Sequence, residues 1–134
     1  MTHLELIVQA MYTKLAALPG LYVMRLRPFE EDELPASNVL IEEVSPIETR
    51  VIGPQDWQLQ FSVVSIVAGD APFAELEGRR SVIHTALLPD TSWGGLIVDI
   101  TANGFKNEPD PELPLVRLWQ HFTLQYRNST PLEP

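Results

Sequence analysis

The sequence predicts an α+β domain: a mixed, largely antiparallel, curved β-sheet with two helices packed on it. Three observations carry that expectation. Two long stretches, Trp57 to Val67 and Leu113 to Arg127, alternate apolar and polar side chains, the period-two pattern of a strand with one buried face. Two other stretches repeat apolar residues at intervals of three and four, the period of a helix laid on a sheet. The predicted order of helix, strands, helix, strands suits an α+β fold. No linker divides the 134 residues and no internal repeat is visible. One domain over 1–134 is expected, with 128–134 as a fraying tail.

Thr2-His3-Leu4-Glu5 has the form of a capping box, in which the hydroxyl accepts from the Glu5 amide and the carboxylate reaches back. Behind it Leu4, Ile7, Val8, Met11, Leu15 and Leu18 share one helical face, and Pro19-Gly20 stops the run, so a helix is predicted over about 3–18. Leu21 to Arg27 alternates again and Pro28 closes it. Glu30-Glu31-Asp32-Glu33 follows; like charges this dense repel one another, which predicts a solvated loop. The run lacks the spaced ligands and central glycine of a calcium loop.

Val39 to Val44 reads as a short strand and Ile47 to Ile52 as a further strand or hairpin arm. Gly53-Pro54-Gln55-Asp56 is a predicted turn into the first long strand, where Trp57, Leu59, Phe61 and Val63 oppose Gln58, Gln60 and Ser62. The second helix is predicted from Asp70-Ala71-Pro72 to Pro89-Asp90. Phe73, Leu76, Ile83 and Leu87 mark its inward stripe, Arg79-Arg80 its polar boundary, and Gly78 weakens it by about 1 kcal/mol. Thr91 to Gly95 is a tight loop and Leu96 to Ala102 a strand, with Asn103-Gly104 as a hairpin turn. Lys106 to Pro114 holds three prolines and the acids Glu108, Asp110 and Glu112, a composition for a loop. In the last strand Val116, Leu118, Phe122, Leu124 and Tyr126 share one parity. Arg117, Trp119, His121, Thr123, Gln125 and Arg127 share the other. Some twelve residues at about 3.3 Å each reach roughly 40 Å, long for a domain of this size.

Composition narrows the function. Hydrophobic content of 45% with 20% charge belongs to a globular chain large enough to bury a core. Without cysteine there are no disulfides, zinc–thiolate sites or cysteine nucleophiles. Eighteen acids against nine bases, a formal charge of −9, work against stable nucleic-acid binding. That balance is compatible with a channel through which DNA slides, and solubility alone also favours it. No signal-peptide pattern opens the sequence and no apolar run approaches the ~18 residues of a membrane span. A soluble protein, intracellular when made and without membrane contact, is the expectation.

No catalytic, cofactor or metal site is expected. His3, His84 and His121 include no pair at the i, i+4 spacing of a metal-binding helix. His84, Asp90 and Ser92 suggest a triad, but Ser92 lacks a nucleophile elbow and the three straddle a helix end where serine and aspartate shape turns. Trp93-Gly94-Gly95 lacks the spacing and lysine of a phosphate loop. The remaining candidates are surface positions for contact with another subunit. They are Trp119 on the polar parity, Trp93 in the tight loop, Arg127 closing the last strand, and the acidic run Glu30, Glu31, Asp32 and Glu33. A second helix covering its face is the plainer account of Trp119. The free edge of a long strand could also take a neighbour's strand.

Taken in order, these pieces resemble the tail terminator, or tail completion, proteins of long-tailed bacteriophages, typified by the lambda minor tail protein U. The resemblance covers most of the chain: the helix ending Leu18-Pro19-Gly20, the strand Trp57 to Val63, and the helix ending Ile83-His84-Thr85-Ala86-Leu87. Gly94-Gly95 before Leu96 to Ile100 and the closing Phe122-Thr123-Leu124-Gln125-Tyr126-Arg127 complete it. It implies a virion structural protein, not an enzyme, that forms a homo-hexameric ring on the head-proximal end of the tail tube. Such a ring stops tube polymerisation and presents a surface to the head-completion or connector protein. Genomic DNA passes its lumen without specific binding, and no cofactor is implied. The acidic run and the loop 106–114 are the candidate ring-face or lumen contacts. The alternatives are another neck or head–tail connector protein, or a small non-catalytic binding module.

Overall fold

A computed structural model describes residues 2–47, 54–69 and 72–128. Helix α1 spans His3–Lys14, with the Thr2 hydroxyl accepting from the Glu5 amide at 3.1 Å. It ends one turn sooner than the apolar spacing suggests. Leu15 and Leu18 stay buried, but in a turn that Gly20, at φ +70°, redirects into strand β1, Leu21–Val23. The predicted strand over 21–27 stops at Val23 because Met24 takes φ +53°. A single 3-10 turn, Glu31–Glu33, then leads to β2, Ala36–Pro46.

Strand β3 runs Gln55–Ala68, so Gln55 and Asp56, predicted as turn residues, already belong to it. Most of the expected strand or hairpin arm over 47–52 lies outside the described residues. Helix α2 covers Phe73–Leu87, followed by β4, Asp99–Pro109, and β5, Leu115–Asn128. The five strands form one mixed sheet in the order β1-β2-β3-β5-β4, with β1 parallel to β2 and the other pairs antiparallel. The fold is α+β.

Register decides which face carries the core. Trp57, Leu59 and Phe61 stand opposite Tyr126, Leu124 and Phe122. Those six pack with Ile7 and Met11 of α1, with Leu15 just beyond it, and with Ile83 and Leu87 of α2, so both helices lie on one face of the sheet. The Phe61 and Phe122 rings stack there at 5.2 Å. Each large apolar side chain so buried contributes about 1.5–3 kcal/mol.

Two predictions about α2 change. Phe73, assigned to the inward stripe, is 70% exposed, because the helix meets the sheet only from Leu76 onward. Arg79, assigned to a polar boundary, is buried. Its Nη2 donates to the Pro19 carbonyl at 2.6 Å and its Nε to Ser37 Oγ at 3.2 Å, and Ser37 in turn bonds Ser65. The position completes the 76–79–83–87 stripe; only the residue type hid it.

The largest difference lies in β4. The sequence predicts a strand at 96–102 turning at Asn103-Gly104; the structure starts the strand at Asp99 and carries it through that dipeptide. Asn103-Gly104 is a bulge, with the register slipping between Ala102 and Phe105 and Gly104 at φ +94°. The turn sits further on, where the Asp110 carboxylate accepts from the amides of Glu112 and Leu113 at 2.9 and 2.8 Å.

Candidate functional site

The acidic run is anchored at its fourth member. Once Met24 has turned the chain, Asn38 of β2 grips the Arg25 backbone, its Nδ2 donating to Arg25 O at 2.8 Å and its Oδ1 accepting from Arg25 N at 3.2 Å. The guanidinium so placed lies 4.1 Å from the Phe29 ring centre and 4.8 Å from that of Tyr22. It donates from Nη1 and Nη2 to both Glu33 oxygens, at 2.6 and 2.7 Å. This fork, and then the Glu30 amide at 2.8 Å, hold the Glu33 carboxyl down to about 2. Glu30, Glu31 and Asp32 remain exposed on a turn that is held firmly.

Beside this turn lies an apolar cleft of about 360 Å³, lined by Leu26, Phe29, Leu34, Ile66, Leu113 and Leu115, with Arg27 and Arg117 at its polar margin. A smaller pocket of about 130 Å³ adjoins it and reaches Glu31. Leu26, on the rim, is 86% exposed. Arg117 is held by Asp110 at 3.0 Å.

The sheet face away from the helices carries the polar parity of β5. Trp119 is half-buried there, its ring 6.5 Å from that of His121 and nearly parallel to it. Neither of the two described helices covers it, since both sit on the opposite face. Its buried Nε1 meets no acceptor among the described residues.

Next to it Ser62, fully buried, donates its hydroxyl proton to Glu42 and shares a hydrogen bond with His121 Nδ1 at 2.8 Å. The three residue types match a hydrolytic triad, but they stand in a different order. In a triad the carboxylate holds the histidine, whereas here Glu42 holds the serine. The arrangement braces Glu42, which occupies the β2 bulge between Ile41 and Glu43.

His84, Asp90 and Ser92 do not form a relay. Asp90 accepts from the Ser92 amide and hydroxyl and from the Gly94 amide, at 3.1, 3.0 and 2.9 Å, and these bonds lower its carboxyl and shape the loop. Trp93, a surface candidate by sequence, is a core residue. It is 6% exposed and its Nε1 donates to the Leu87 carbonyl at 2.9 Å, so its indole closes the end of α2. Arg127 is exposed and forks onto Asp56, its ladder partner on β3, at 2.7 and 3.3 Å.

β4 forms a sheet edge. Ile100 is buried, but every residue from 101 to 109 is exposed, because the helical layer stops short of this strand. Phe105 stands 54% exposed beneath the Arg80 guanidinium, 5.0 Å from its ring centre. Among the described residues no three histidine or carboxylate side chains gather as a metal site, and no helix is long and apolar enough to cross a membrane. The surfaces available for recognition are therefore the acidic turn with its cleft, the open face around Trp119, and the β4 edge.

No protein-family model matches this chain, and no curated protein matches it. Among solved structures its fold is similar to that of a chain from the virion of a native gene transfer agent particle. The TM-score is 0.65 with 14% identity, covering 90% of this chain and 93% of that one. The likeness is one of fold.

Proposed function

We propose that the chain is a structural protein of a phage-like particle and, within it, the terminator of the tail tube. In this reading six copies close a ring on the head-proximal end of the tube. The ring stops polymerisation and offers the head connector its joining surface, and DNA passes without specific contact. The observation that carries the reading is the fold shared with a virion chain over nearly the full length of both. The edge strand adds support, since β4 is exposed from residue 101 to 109 and leaves surface free for a neighbour. The predicted order of helix, strands, helix, strands stands in the structure, with β4 as its main displacement. An acidic surface suits a passage that must not hold DNA.

Binding to purified parts of the particle tests the reading. The chain is expected to sediment with tail tubes and to label one end of each. Retention by portal–connector complexes and not by tubes would make it a head-side neck protein instead. Absence from purified particles would remove the virion role altogether.

A further inference from the structure

We infer that the ring is closed by an aromatic knob, Phe105 of one copy, entering the apolar cleft of the next copy beside its acidic turn. The inference rests on the ring reading above. It begins with a mismatch inside one chain: an exposed phenylalanine on a bare edge strand, and an unfilled apolar cleft elsewhere. The cleft, about 360 Å³ and lined by Leu26, Phe29, Leu34, Ile66, Leu113 and Leu115, has room for one aromatic side chain. A surface knob that fits a different patch on an identical neighbour makes a head-to-tail contact, which is the kind that generates rings.

Charge selects the knob. Glu30, Glu31 and Asp32 are exposed beside the cleft and outnumber Arg27, since Arg25 and Arg117 are spent on Glu33 and Asp110. Phe73 is more exposed than Phe105, but Glu75 follows it on α2 and would meet an acidic rim. Phe105 lies under Arg80, whose charge is spent on Glu77, and the next residue along the edge is Lys106, leaving the other face of the strand. Lys106 is exposed and makes no ion pair with a described residue, whereas Arg25, Arg80, Arg117 and Arg127 each do. An aromatic anchor in an apolar pocket, rimmed by opposite charges, is the usual composition of an interface hot spot.

Native mass spectrometry over a concentration series tests this with the full chain. Phe105→Ala and Lys106→Glu are both surface changes, expected to leave the circular dichroism spectrum intact. Each should raise the concentration needed for the ring by at least about tenfold. Adding Glu31→Lys to Lys106→Glu should restore assembly, whereas Glu31→Lys should not rescue Phe105→Ala. If the wild type forms rings and neither substitution weakens them, or the charge-reversed pair does not recover, the seam lies elsewhere and only this inference fails. A wild type that stays monomeric both in solution and on tail tubes overturns the ring reading itself, and this inference with it.

Discussion

Glu33 keeps its charge because Arg25 presents two guanidinium nitrogens to its two oxygens. With the folded carboxyl near 2 and the ordinary value 4.5, the unfolded chain takes up the proton first as pH falls. The pair therefore stabilises the fold fully above about 4.5, and this contribution is lost as pH falls toward 2. Side-chain carboxyl NMR should place the Glu33 midpoint near 2, and Glu33→Gln should flatten the stability change between those values. An ordinary glutamate midpoint would mean the fork is absent in solution. At the alkaline end burial raises the Tyr126 phenol to about 12, and its hydroxyl has no partner among the described residues. Because the folded value is raised, stability falls once pH climbs past the ordinary value of 10. Tyr126→Phe removes an unpaired buried hydroxyl, so it should leave stability unchanged or raise it by up to about 1 kcal/mol in urea unfolding, and remove that alkaline loss. A loss of 2 kcal/mol or more, on the order of a broken buried hydrogen bond, would reveal a partner for the hydroxyl.

Elements that bury a stripe were legible; the element that buries almost nothing was not. The Thr2 cap, the three-and-four spacing of α1 and the alternation of β3 and β5 all reflect one covered face, and each stands close to where the sequence puts it. β4 has no covered face over 101–109 and so no hydrophobic period to read, and Asn103-Gly104 imitates a hairpin turn while serving as a bulge. The candidate site was half legible for the same reason. Local charge revealed the acidic run, but its anchor depends on Arg25 and Asn38 meeting across the fold. Arg79 ties α2 to the end of α1 and to β2 through Pro19 and Ser37. Arg79→Ala strands the Pro19 carbonyl and takes one of two partners from Ser37, and should cost about 2–3 kcal/mol in chemical denaturation. A loss below 0.5 kcal/mol, the size of an ordinary surface change, would show those bonds to be solvent-exchangeable. Gly20 makes the tightest turn: its φ is +70° and an added Cβ would lie 2.5 Å from the Pro35 carbonyl oxygen. Gly20→Ala should cost about 1–3 kcal/mol or more, and an unchanged Tm would place the α1–β1 junction differently.

At the scale of the molecule the sheet is covered on one face, half-open on the other and bare along β4. That distribution suits the proposed subunit, whose free surfaces would meet tube, connector and its own copies. Neutralising Glu30, Glu31 and Asp32 together should impair head joining or ring closure while leaving the fold intact, since none of the three is buried. The central claim is that this chain stops a growing tube. Its most direct test is the tail-length distribution, by electron microscopy, of particles assembled with and without the chain. The account predicts one narrow length when the chain is present, and long, variable, headless tails without it. Tails of the same uniform length in its absence would contradict the claim.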